Sequence, residues 1–163
     1  MVLVKKSYKT GISFGLVSGV LTTLGLLIGL GVGTQSKEVI IGGILTIAVA
    51  DALSDAFGVH LSQESAGENS KKQVWESTIS TLLSKFLLAL TFLIPVLIFD
   101  IKTARIIDIV WGFVVITLIS ILSSILNKVE KKELISAILE HVLLFIFTVT
   151  ISYLIGTFID KKF

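Results

Sequence analysis

The sequence predicts an all-α integral membrane protein of five transmembrane helices, and three observations carry that prediction. Of the 163 residues, 53% are hydrophobic and the mean hydropathy is +0.96, more apolar than soluble domains usually are. The apolar residues gather in long uncharged runs, 10–36, 109–127 and 142–159. Each run is long enough to cross a hydrocarbon core of about 30 Å at about 1.5 Å per residue. Alternation of period 2 is absent, which disfavours a transmembrane β-barrel.

The first helix is expected over about 11–33. It is too long and too glycine-rich for a cleavable signal peptide, and no small-residue cleavage site follows, so it reads as a retained span. Gly11, Gly15 and Gly19 form one small-xxx-small ladder, and Gly25, Gly29 and Gly33 form another. Such ladders let two backbones approach closely. The first is a candidate either for a dimer contact or for packing within the chain. The second helix is expected over about 38–62, followed by a polar connector, SQESAGENSKKQ, at 62–73.

A third helix follows over about 75–99, its apolar part starting near Phe86. It contains Pro95, the only proline, which removes one helical hydrogen bond and predicts a kink. The fourth and fifth helices are expected over about 105–127 and 134–158. Short connections at 34–37 and 100–104 predict an antiparallel bundle of neighbours, all within one domain covering 1–163. Trp75, Trp111 and Tyr153 suit anchoring positions near the membrane surfaces.

Charge sets the expected orientation. With the N-terminus on one side, that side holds Lys5, Lys6, Lys9, Lys71, Lys72, Lys85, Lys128, Lys131 and Lys132. The other side holds Lys37, Lys102, Arg105, Lys161 and Lys162. The bias favours a cytoplasmic N-terminus in a multi-pass protein of the cell membrane. Net charge is only +2 and no dense basic patch occurs, so nucleic acid is not an expected partner. There is no cysteine, which excludes thiolate metal sites, iron–sulfur clusters and thiol catalysis. No Ser/His/Asp arrangement, HExxH motif or phosphate-binding glycine loop is present, so no enzyme activity is expected.

The candidate chemistry lies in the second helix, where Asp51 and Asp55 interrupt the apolar stretch ILTIAVADALSDAFGV. An ionised carboxylate inside a bilayer costs several kcal/mol or more and is rare unless paired, hydrated, protonated or bound to a cation. Spaced i, i+4, the two acids share a helix face, with Ser62 near that face and Ser54 beside it. Oxygen donors of this kind suit Mn²⁺, Fe²⁺ or Mg²⁺, and the same carboxylates can carry protons. Alternatively, Lys85 or a hydroxyl such as Ser84 satisfies one acid internally. His60 lies about 140° around the axis from Asp55, so ligation to the same ion needs another helix or subunit. Glu64, Glu68 and Glu76 in and after the connector are candidates for cytoplasmic metal capture, or for a solvated charged loop. Glu140 and His141 open the fifth span in an interfacial position.

Four segments in order resemble the vacuolar iron transporter family of iron and manganese exporters. GISFGLV (11–17) is similar to the family's GxSDGLT, and ADALSDAFGVHLS (50–62) to AGALSMAxGEYxS. FLIPVLIF (92–99) is similar to (A/L)IPLLPF, and ISYLIG (151–156) to (S/T)YxxG. The resemblance implies five helices, a homodimer and export of Fe²⁺ or Mn²⁺ in exchange for protons. The chain departs from the pattern at the first-helix acid, which is Phe14. It departs again at the second-helix methionine, which is Asp55, and at the glutamate and tyrosine, which are Val59 and His60. Asp51 stands at a glycine position, and the connector is too short for the family's cytoplasmic metal-binding domain.

The expectation is therefore a homodimeric, proton-coupled transporter of Fe²⁺ or Mn²⁺ in the lipid bilayer, with no tightly bound cofactor. Its competitors are a non-transporting membrane scaffold or partner-binding subunit, and a proton or small-solute pathway without metal.

Overall fold

Every regular element among the described residues is helical; the computed structural model describes residues 5–67, 69–127 and 129–162. Five helices are long and apolar enough to cross a membrane: Lys6–Gly33, Lys37–Ala66, Lys71–Ile98, Ile101–Leu126 and Lys131–Lys162. Large apolar side chains such as Leu143, Phe147, Leu154 and Phe158 stand exposed along the fifth helix. Water would penalise that surface and hydrocarbon would not. The chain has the build of a multi-pass membrane protein.

The helices overrun their expected limits because hydropathy marks only the hydrocarbon-facing part. Polar caps extend them. Ser36 accepts a hydrogen bond from Val39 N at 3.3 Å to start the second helix, and Ser70 with Gln73 forms a capping box for the third. Asp100 accepts from Lys102 N (3.0 Å) and Thr103 N (3.1 Å) to start the fourth. The second helix ends at Gly67, whose φ of +67° lies in the left-handed region that glycine adopts without penalty. The connector expected over 62–73 thus gives way to helix up to Ala66 and from Lys71 onward.

Pro95 does interrupt its helix, three residues upstream. The third helix breaks at Phe92 into Lys71–Thr91 and Leu93–Ile98. Proline has no N–H for the carbonyl four residues earlier, that of Thr91. The Thr91 hydroxyl donates to the Leu88 carbonyl at 2.6 Å and accepts from the indole of Trp111 at 2.9 Å, which ties this tryptophan to the break. The second helix contains an irregularity with no sequence signal, a π-helical turn at Ile47–Asp51.

The first helix is central and packs against the other four. Gly11, Gly15 and Gly19 lie against the third helix of the same chain, at Ser77–Ser80, Thr81–Ser84 and Lys85–Leu88. A methyl on Gly15 would sit 2.6 Å from the Thr81 carbonyl oxygen, so only glycine permits this approach. Two hydroxyls then bond across it, Ser77 to the Ser7 carbonyl (3.0 Å) and Thr81 to the Gly11 carbonyl (3.2 Å). Of the two readings of this ladder, dimer contact or packing within the chain, the second describes the contacts it makes here. The second ladder lies against Thr148, Ser152 and Gly156 of the fifth helix. Between these seams runs a core of Val20, Leu24, Ile28, Ile44, Phe92 and Ile116.

Candidate functional site

The glycine seam lays the third helix so close to the first that a lysine is carried inside the bundle. Lys85 is fully buried, and its backbone and stem run past Gly15 and Gly19. Its ammonium reaches the second helix. Nζ lies 2.5 Å from Asp51 Oδ2 and 2.5 Å from Asp55 Oδ2, and donates to Ser18 Oγ at 2.9 Å. Ser18 in turn donates to Asp55 Oδ2 at 2.5 Å. Three helices therefore converge on one cluster.

An ammonium has three N–H donors and no acceptor. Asp55 and Ser18 take two of them as hydrogen bonds. Asp51 Oδ2 touches the ammonium as an ion pair but lies outside hydrogen-bonding geometry, which leaves that oxygen without a hydrogen-bond partner. Asp51 is the last residue of the π turn, and Asp55 follows one α-turn later. Both acids keep an open edge, with side-chain exposures of 34% and 21%, while Lys85 has none. With all three groups ionised the cluster carries a formal charge of −1. The position between the carboxylates, expected for a cation, holds the Lys85 ammonium.

The other predicted residues are not drawn into this cluster. Ser54 and Ser62 are exposed on the outer side of the second helix. His60 Nδ1 pairs with Thr78 Oγ1 at 2.9 Å and its ring meets Trp75 edge-on at 4.7 Å. Glu76 lies between the first and third helices. It is buried, bonded to Lys5 Nζ (2.9 Å) and Ser7 Oγ (2.6 Å), and fastens the start of the first helix to the third. Glu64 is exposed and borders a separate hollow of about 320 Å³ with His60, Asn69 and Lys71. Glu68 lies outside the described residues. Among the described residues no three His, Asp or Glu side chains converge, so a metal held by Asp51 and Asp55 needs further donors from elsewhere. Phe14 is exposed.

Two participants escape the sequence reading. Ser18 looks like one more small residue in a glycine-rich run, and only the fold shows that it bridges Lys85 and Asp55. Asp108 looks like the boundary of the apolar run 109–127. It is instead fully buried, with both carboxylate oxygens lacking a hydrogen-bond partner. Its signal was present, since the helix expected over about 105–127 already contains this acid.

At the end of the bundle away from Lys6 lies a polar vestibule of about 820 Å³, walled by the turn after the first helix, the start of the fourth and the end of the fifth. Tyr153 of the SYLIG segment lines it. No protein-family model, curated protein or solved structure matches this chain.

Proposed function

We propose that this chain is a cation transporter of the membrane that exchanges an oxygen-preferring divalent ion, Fe²⁺ or Mn²⁺, for protons at the Asp51–Lys85–Asp55 cluster. One observation carries this reading: two carboxylates within a membrane-length helix share a fully buried ammonium while keeping open edges. Charged edges are not stable against lipid. They meet water or protein instead, and an ion reaching them competes with Lys85 and with protons for the same oxygens. That competition couples ion and proton movement without further machinery.

The finer architecture belongs to the same proposal. The five helices run up and down as an antiparallel bundle, supported by the matched rise of residue numbers between the first helix and both the third and fifth. Two copies meet along the second helix, so that each supplies donors the other lacks. The N-terminus faces the cytoplasm and transport is outward, as the lysine bias and the resemblance imply.

Purified protein in proteoliposomes, loaded with a metal-sensitive and a pH-sensitive dye, tests the reading. Mn²⁺ flux is expected with opposite proton movement, and Asp51→Asn or Asp55→Asn lowers it at least about tenfold while helical content is unchanged. Full flux in the double variant removes both residues from the mechanism. The second reading, a non-transporting scaffold, is favoured by the fact that each acid already has a partner in its own chain. It predicts neither flux nor calorimetric binding of Fe²⁺, Mn²⁺ or Mg²⁺ at any pH.

A further inference from the structure

Asp108 is the buried charged group for which neither reading has a use. It lies in the middle of the first helix's contact with the fourth, between Ala104, buried near Ile101, and Gly112, which packs on Val20 and Leu24. An ionised carboxylate stripped of both water and partner is among the costliest arrangements a membrane helix can hold. Something neutralises it.

Among the described residues, the surroundings offer no fixed counter-charge. The first helix carries no ionisable group over 20–33, nor does the short helix Leu93–Ile98. On the fifth helix, His141 bonds Ser120 at 2.7 Å, three turns along from Asp108, and Tyr153 lines the vestibule. The remaining charges are in the vestibule: Lys37, Glu38, Asp100, Lys102, Arg105 and Asp160. Four of these are held by other partners. Lys37 donates to the Leu97 and Phe99 carbonyls, Asp100 caps the fourth helix, Glu38 takes Ser36, and Asp160 takes Gln35. Among the described residues, the side chains of Lys102 and Arg105 have neither a hydrogen bond nor an ion pair. Arg105 is half-buried, one helical turn from Asp108 on the same helix, a spacing at which opposite charges reach each other.

We propose that Asp108 is a proton-binding site in the fourth helix, neutral in this conformation and emptied toward the vestibule as Arg105 turns inward to replace the lost proton's charge. The step balances: the O–H bond of the carboxylic acid breaks, the proton passes to vestibule water, and the guanidinium pairs with the carboxylate left behind. Arg105 moves about one turn's rise, roughly 4.5 Å over three residues. The site does not depend on which ion the Asp51–Lys85–Asp55 cluster takes, or on whether it takes one.

Infrared spectroscopy of the protein in lipid nanodiscs at neutral pH reads the site directly. A protonated-carboxyl C=O band is expected in the wild type, absent in Asp108→Asn and retained when Asp51 and Asp55 are both replaced by Asn. In Asp108→Glu the band persists at a shifted frequency, which covers the case in which the Asn variant fails to fold. Raising the pH bleaches the band, and in Arg105→Gln bleaching is expected about one pH unit higher, a tenfold change in proton affinity. A wild type without the band, or a band indifferent to Asp108→Asn and Asp108→Glu, overturns the proton site. An Arg105→Gln titration identical to the wild type overturns the exchange of partners.

Discussion

Lys85 shows how a residue's role can be half visible in a sequence, as a partner for one acid where the structure gives it two. Its charge, just before the apolar part of the third helix, counts only toward the orientation and as a partner for one acid, whereas Asp51 and Asp55 stand out because hydrocarbon tolerates such groups only for a reason. That one ammonium serves both acids depends on where three helices meet, and no spacing within one helix encodes that. Ser18 was invisible for the same reason. The arrangement makes the three charges interdependent. Replacing Lys85 by Met leaves two neighbouring carboxylates facing each other without a counter-ion, and breaking a buried pair in this way costs about 3–5 kcal/mol. The triple variant Lys85→Met, Asp51→Asn, Asp55→Asn removes the repulsion with its cause and should recover most of that loss. Thermal unfolding in one detergent, with all variants side by side, measures both. A Lys85→Met protein as stable as the wild type means that water, not the ammonium, neutralises the acids.

The elements were legible to different degrees, and the differences follow from what each signal measures. Uncharged length located the first, fourth and fifth helices, since the bilayer sets it, and apolar stretches that include Asp51 and Asp55 or border Lys85 located the second and third. Their ends were set by Ser36, Ser70, Asp100 and Gly67, polar caps outside the apolar runs, so hydropathy alone placed them too far in. Pro95 announced its break because a missing N–H has a fixed consequence four residues back. The π turn before Asp51 had no such marker. Glu76 was read with the connector acids because sequence proximity does not reveal that Lys5 and Ser7 lie beside it. Among these caps, Asp100 offers a pH test at the membrane's edge. Hydrogen bonds from the Thr103 side chain and backbone hold its carboxyl below the ordinary 3.8. A depressed folded-state value means that its stabilisation is complete above the unfolded-state value and is lost as pH falls through the lower folded-state one. The stability difference between wild type and Asp100→Asn should therefore be constant from neutrality down to about pH 5 and shrink below about 3.8. Melting midpoints measured across that range check it; a difference that grows on acidification contradicts the sign.

At the scale of the whole molecule, the question is what covers the second helix. Its exposed side presents Gly42, Thr46, Ala50, Ser54, Gly58 and Ser62, six small residues four apart, and a methyl added at Gly42 or Gly58 would touch nothing. The same glycine and serine chemistry on the first helix is already filled by the third and fifth. Lipid gains little from small residues, whereas a second helix gains close backbone approach. The open edges of Asp51 and Asp55 lie on this uncovered helix, and they exclude lipid as its neighbour more firmly than the small residues do. In the dimer proposed above, the partner surface would be the same sequence seen again. The native chain has no cysteine, so single cysteines report contacts without background. With Ser54→Cys in native membranes, mild oxidation should give a covalent dimer, since a disulfide forms only when two Cα atoms come within about 7 Å. Leu143→Cys, on the exposed face of the fifth helix, should remain monomeric under the same treatment. Equal cross-linking at both positions would indicate random collision. No cross-link at Ser54 or at neighbouring Ala50 and Gly58 would leave the two carboxylates to a water-filled cleft within a single chain.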